Sequence, residues 1–88
     1  MDVTRVTVTR NSGESKILAN ATVTFDDVLT IRYKVIKGTD GLFVKEPSRY
    51  DGKTDKWYSD VRTVATGSGD QLRNRISEKV LQAYSEAK

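Results

Sequence analysis

The sequence predicts an α+β fold, an antiparallel β-sheet of about five strands followed by a C-terminal α-helix. Three observations carry this reading. Apolar and polar residues alternate through the first half of the chain, short turns rich in Gly, Asp and Asn separate the alternating runs, and after Gly69 the apolar period lengthens to between three and four residues. With 88 residues, one domain over 1–88 is expected. A domain of this size buries only ~60–65% of its unfolded surface, which favours association with a second copy as a supplement to stability.

The elements follow in order. A β-meander is expected over 2–46. Its first strand is the β-branched run from Val3 to Arg10, with Val6 and Val8 on one side and Thr7 and Thr9 on the other. Asn11-Ser12-Gly13-Glu14 is a turn cluster in which Gly13 can supply the positive φ of a hairpin loop. In the second strand Ile17, Ala19, Ala21, Val23 and Phe25 point one way, and Leu18, Asn20, Thr22 and Thr24 the other. Asp26-Asp27 makes the next turn, after which Leu29, Ile31, Tyr33 and Val35 form the inward set of a third strand. Strands joined by such short turns run antiparallel, because parallel neighbours need a crossover of about a dozen residues.

Gly38-Thr39-Asp40-Gly41 reads as the third turn and Leu42–Lys45 as a short fourth strand, ended by Pro47, which cannot donate to a ladder. A basic loop is expected over 47–56 and a fifth strand over 57–65. Thr66-Gly67-Ser68-Gly69 then breaks the sheet before a helix over 69–86. Ser68 and Gln71 have the spacing of a capping box, and Asp70 suits the positive end of the helix dipole. Leu72, Ile76, Val80, Ala83 and Tyr84 lie on one stripe, with Leu81 beside them; Arg73, Arg75, Ser77, Lys79 and Gln82 occupy the other face.

Composition removes several classes of function. There is no cysteine, hence no disulfide or thiolate metal site, and no histidine, hence neither the commonest general base nor the commonest metal ligand. No enzyme, cofactor, metal or small-molecule substrate is expected. The N-terminus has neither a basic nor an apolar leader region, and no apolar run approaches the ~18 residues of a membrane span, so a cytoplasmic protein without membrane contact is expected. Fifteen basic against twelve acidic residues give a formal charge of +3 and a pI near 9.3, a balance that permits a polyanionic partner if the charges cluster.

Two candidate clusters stand out. In the loop, Arg49, Lys53 and Lys56 interleave with Tyr50, with Trp57 just beyond; cations neutralise phosphates while rings offer a stacking face to an exposed base. On the helix, Arg73, Arg75 and Lys79 can form a basic ridge along a phosphate backbone. The same residues also fit a solvated loop neutralised by Asp51 and Asp55, and an ordinary wet helix face beside Glu78. Asp26, Asp27, Asp51, Asp55 and Asp60 are read as turn residues that bond nearby backbone rather than as an acid/base pair. Val3, Leu18, Val28, Ile36 and Phe43 fall opposite the inward sets, and one helix cannot cover both faces of the sheet, so these residues are expected at a dimer interface.

The order of elements and two stretches resemble the stage V sporulation protein G (SpoVG) family, small bacterial proteins also described as septation regulators. The likeness runs from Met1-Asp2-Val3-Thr4 through Ile31–Val44 and Pro47-Ser48-Arg49 to Val80-Leu81-Gln82-Ala83-Tyr84. Its most specific part is Val35–Ser48, which is similar to the family pattern Val-Ile-x-Gly-x-x-Gly-Leu-Phe-Val-x-x-Pro-Ser. The resemblance implies a sheet followed by a helix, homodimers formed through the sheet, and binding to DNA, in some members also RNA, in the control of gene expression, septation or sporulation. It also implies that Arg49 and basic positions of the loop and helix contact the nucleic acid. The family has two adjacent basic residues after Pro-Ser, whereas Tyr50 takes the second place here, and 51–61 departs from the pattern.

The expected function is therefore a homodimeric nucleic-acid-binding regulator whose phosphate contacts are Arg49, Tyr50, Lys53, Lys56, Arg73, Arg75 and Lys79. The alternative is a small β-rich module that binds another protein by its sheet edge or apolar face.

Overall fold

The computed structural model describes residues 1–11, 13 and 16–87. Four strands, β1 (Val3–Arg10), β2 (Ile17–Phe25), β3 (Leu29–Gly38) and β4 (Gly41–Lys45), form an antiparallel meander in the order β1-β2-β3-β4. A separate two-stranded sheet pairs β5 (Ser48–Asp51) with β6 (Lys56–Ser59), and the helix α1 (Gly67–Glu86) closes the chain. The α+β class and the meander are as expected. The turn cluster expected at 11–14 includes Ser12 and Glu14, which lie outside the described residues.

Two turns show why the strands reverse where they do. Asp26 and Asp27 both have positive φ, 52° and 56°, and the Val28 amide donates to the Phe25 carbonyl at 2.9 Å. This two-residue geometry matches the twist of the strands it joins, and Asp tolerates it better than most residues. At the other end of β3, Gly38 pairs with Gly41, whose φ of 124° only glycine adopts readily.

The core is the layer between one face of the sheet and the helix. Ala19, Ala21, Val23 and Phe25 from β2, Tyr33 and Val35 from β3, and Ile76 and Val80 from α1 are all buried. Burying each larger apolar side chain contributes about 1.5–3 kcal/mol relative to leaving it exposed. Leu72, Leu81 and Tyr84 complete the helix stripe against it, as the period predicts.

Register shifts correct two expectations. Between Val3 and Arg5 the ladder slips, so Val3 stands opposite buried Phe25 and packs against the core instead of facing outward. A second irregularity between Ile17 and Ala19 sets Ile17 opposite Ile36, on the outward face, where simple alternation had placed it inward. An extra residue in one strand moves everything beyond it to the other face.

The segment after Pro47 also differs from expectation. Residues 47–56 are not an open loop, and the expected strand over 57–65 exists only as Lys56–Ser59, paired with Ser48–Asp51 rather than with the main sheet. Asp55, with φ of 54°, turns this hairpin, and the Lys53 amide and Thr54 hydroxyl bond to the Asp51 carboxylate at 2.9 and 3.2 Å. Local turn chemistry of this kind competes well with a fifth place in the sheet.

The helix starts earlier than the Ser68/Gln71 box implies. Thr66 is the N-cap, its hydroxyl accepting from the Gly69 amide at 3.1 Å, and Asp70 lies in the first turn as expected. Gly69 is pressed on the preceding segment, where a Cβ would meet the Val64 carbonyl oxygen at 1.8 Å. At the far end α1 has no basic residue in its last turn, and Arg10 of β1 supplies the charge. Its guanidinium donates to the Tyr84 and Ala87 carbonyls at 2.7 and 3.1 Å and lies 4.1 Å from the Tyr84 ring centroid.

Candidate nucleic-acid interface

The two predicted clusters sit on elements that do not pack on each other: among the described residues the β5–β6 hairpin has no backbone neighbour on α1, and it meets the main sheet through side chains at the end of β4. Both clusters are partly neutralised by carboxylates on their own element. The hairpin sets Arg49, Lys53 and Lys56 against Asp51, Asp55 and Asp60, and Arg49 pairs with Asp60 at 3.5 Å. The helix sets Arg73, Arg75 and Lys79 against Asp70, Glu78 and Glu86, with Arg73 3.7 Å from Asp70. Arg75 reaches Asp2 at 3.3 Å and ties the helix to the start of the chain. Arg73 lines a cleft of about 250 Å³ with Arg62 and Glu46, beside Tyr33. Burial, and secondarily the Glu46 carboxylate, push the Tyr33 hydroxyl above its usual pKa.

A third surface, absent from the expected set, carries uncompensated charge. The strand register places Arg5, Thr7 and Thr9 of β1, Asn20, Thr22 and Thr24 of β2, Thr30, Arg32, Lys34 and Ile36 of β3, and Phe43 and Lys45 of β4 on the sheet face opposite the helix. That face presents four cations and no carboxylate. Among the described residues none of Arg5, Arg32, Lys34 or Lys45 is ion-paired. Lys34 and Lys45 stand directly across from each other, and both are half-buried. Like charges at facing positions of a ladder are destabilising, so this pair lowers the stability of the free protein with no counter-charge to offset it. Of the nearby acids, Asp26, Asp27 and Asp40 lie in the turns at the two ends of the sheet, Asp2 lies beside Asp26, and Glu46 follows Lys45 and accepts from the Ser59 hydroxyl.

The hairpin adds aromatic surface on the same side. Strand alternation puts Tyr50 and Trp57 together on one side of the hairpin, with centroids 5.5 Å apart and ring planes at 58°. The Lys45 ammonium lies 5.0 Å from the Trp57 centroid, so the indole borders the open sheet face rather than the helix face. Tyr50 donates its hydroxyl proton to Asp55, a bond that, ahead of a smaller burial effect, holds the phenol above its usual pKa. Trp57 is 63% exposed, Tyr50 50% and Tyr58 44%, although no strand or helix covers them.

The residues expected at a dimer interface do not form one patch. Ile36 and Phe43 are cross-strand partners at one corner of the sheet, with Leu18 at the adjoining bulge. Val28 is 87% exposed at the β2–β3 turn, about 26 Å away along β3 at strand rise. Val3 faces the core.

The SpoVG family profile matches residues 1–86. The chain is also similar to proteins provisionally named septation protein SpoVG. It is 35% identical to that of Thermoanaerobacter pseudethanolicus, over 100% of this chain and 91% of the relative. It is 34% identical to that of Clostridioides difficile, over 99% and 90%. With that of Symbiobacterium thermophilum it shares 40% identity over 96% of this chain, which spans only 57% of that longer relative. Among the described residues no helix is long and apolar enough to cross a membrane, and no three His, Cys, Asp or Glu side chains converge on a metal-sized site.

Proposed function

The chain belongs to the SpoVG family, and we propose that it is a homodimeric nucleic-acid-binding regulator acting on DNA, and on RNA, in the control of bacterial gene expression during septation or sporulation. The observation that carries the reading is the acid-free cationic sheet face: four basic side chains, Arg5, Arg32, Lys34 and Lys45, with no carboxylate among them. A polyanion relieves the repulsion between Lys34 and Lys45 while releasing its own counterions. The hairpin and helix cations, which share their elements with carboxylates and of which Arg49, Arg73 and Arg75 are ion-paired, rank below this face as phosphate contacts; Lys53 and Lys56 near the hairpin turn extend it. The relatives' names place the family in septation.

Two copies would meet at the apolar corner formed by Leu18, Ile36 and Phe43, beside the uncovered edge of β4. Pairing there doubles the number of basic groups in reach of one nucleic acid. Titration of a labelled oligonucleotide at several salt concentrations tests the reading. The slope of log K against log salt is expected to be about −3 per subunit for four contacts, and the Arg32→Glu, Lys34→Glu, Lys45→Glu triple variant to lose binding at least about a hundredfold. Absence of binding, or a slope near zero, overturns it in favour of a protein partner docked on the sheet edge; salt-dependent binding that survives the triple reversal overturns the sheet face as the site.

A further inference from the structure

The cationic face and the aromatic side of the hairpin adjoin, and we propose that together they form a site for single-stranded nucleic acid, in preference to duplex. The inference rests on the nucleic-acid reading above and names its substrate class. Arg5, Arg32, Lys34 and Lys45 supply phosphate contacts across the four strands, a band about 14 Å wide at ordinary strand spacing. Trp57 and Tyr50 supply the stacking surface at the end of that band, joined to it by Lys45, whose ammonium lies 5.0 Å from the Trp57 centroid.

Trp57 is 63% exposed and Tyr50 50%, on a hairpin whose contacts with the main sheet are the side-chain contacts Lys45–Trp57 and Ser59–Glu46, so their apolar area contributes little to the fold. Large aromatics held rigid by a cross-strand partner, yet left in water beside unpaired cations, are what an unstacked base requires. A base inside a duplex offers only its edge to such a surface, because both of its faces are already stacked on neighbours. The Tyr50–Asp55 bond fixes the tyrosine ring in place, and the tilt of 58° between Tyr50 and Trp57 leaves most of the indole open. The lysine between sheet and indole can meet the phosphate flanking a stacked base.

The test is fluorescence anisotropy with one labelled oligonucleotide of about twelve mixed-sequence nucleotides, presented as single-stranded DNA, as single-stranded RNA and as duplex DNA. Emission of Trp57, the sole tryptophan, is followed in parallel. The single strands are expected to bind at least about tenfold more tightly than the duplex and to quench Trp57. Trp57→Ala is expected to cost single-strand affinity roughly 5- to 100-fold while leaving duplex affinity and the melting temperature in place, and Trp57→Tyr to restore most of the loss. Lys34→Gln with Lys45→Gln should weaken both forms and flatten the salt slope.

Equal affinity for duplex and single strand, or single-strand binding indifferent to Trp57→Ala, overturns this proposal and leaves the broader reading standing. Failure of every oligonucleotide to bind defeats both. A Trp57 emission that shifts with protein concentration and ignores oligonucleotide assigns the aromatic side to a second copy of the chain, which also overturns it.

Discussion

The four-stranded sheet with its helix and the β5–β6 hairpin are built from similar residues but held together by different forces. The sheet buries a continuous apolar layer, from Ala19 to Phe25 on β2 and from Ile76 to Val80 on α1. The hairpin buries nothing comparable. It is kept by the Asp51 turn bonds, the Tyr50–Trp57 contact and a tie at its base, where the Asp60 amide donates to the Pro47 carbonyl at 2.7 Å. An isolated two-stranded hairpin is marginal in water, so this one is expected at the low end of local stability. Where burial does the folding, side chains are committed to each other. Where it does not, the same aromatic types remain free for a ligand.

The widest separation between the two regions is expected from truncating one aromatic in each. Phe25→Ala empties a buried site and is expected to cost about 3–5 kcal/mol, a large part of a small domain's stability. Trp57→Ala is expected to stay within about 0.5 kcal/mol. Urea denaturation of both variants measures this directly, and a Trp57→Ala loss near that of Phe25→Ala would erase the distinction.

A smaller effect probes the connector between hairpin and helix. Gly→Ala inside a helix ordinarily stabilises by about 1 kcal/mol, but a Cβ at Gly69 would collide with the Val64 backbone. Gly69→Ala is therefore expected to destabilise by at least about 1 kcal/mol, the opposite sign. Thermal melting decides it, and Gly67→Ala, where nothing lies within 4 Å of the added atom, is the control.

The smallest effect separates two tyrosines whose pKa is raised for different reasons, Tyr33 by burial and Tyr50 by its bond to Asp55. A phenol raised in the folded state keeps its proton above pH 10 while the unfolded chain releases it. Its contribution to stability is thus complete below about pH 10 and declines as pH rises toward the folded value. Melting temperatures between pH 9 and 11 are expected to fall less for Tyr33→Phe than for the unaltered protein. An identical decline in both would remove Tyr33 as a source.

Much of the fold was legible because it is written in local periods. Alternation in β2 and β3, the Asp26-Asp27 turn and the Leu72–Tyr84 stripe each depend on neighbours within a few residues. The site was less legible. Arg32 and Lys34 did not stand out along the chain, and an acid-free face exists only once Arg5, Arg32, Lys34 and Lys45 are brought together by pairing between strands. The clusters that looked promising along the chain, Arg49 to Lys56 and Arg73 to Lys79, are interleaved with carboxylates, Asp51 and Asp55 in the first and Glu78 in the second.

By itself the amino-acid sequence determined the class of fold, the order of the elements, the absence of imidazole and thiol chemistry, and the likeness to SpoVG proteins, since all of these reside in short-range pattern and composition. Tertiary structure alone decided that Val3 turns inward, that Thr66 and Arg10 finish the two ends of the helix, that the fifth strand leaves the sheet, and that Lys34 faces Lys45. The reason is register: a slip of one residue reverses a side chain's face at no local cost, and only pairing and burial across the whole sheet select among the slips.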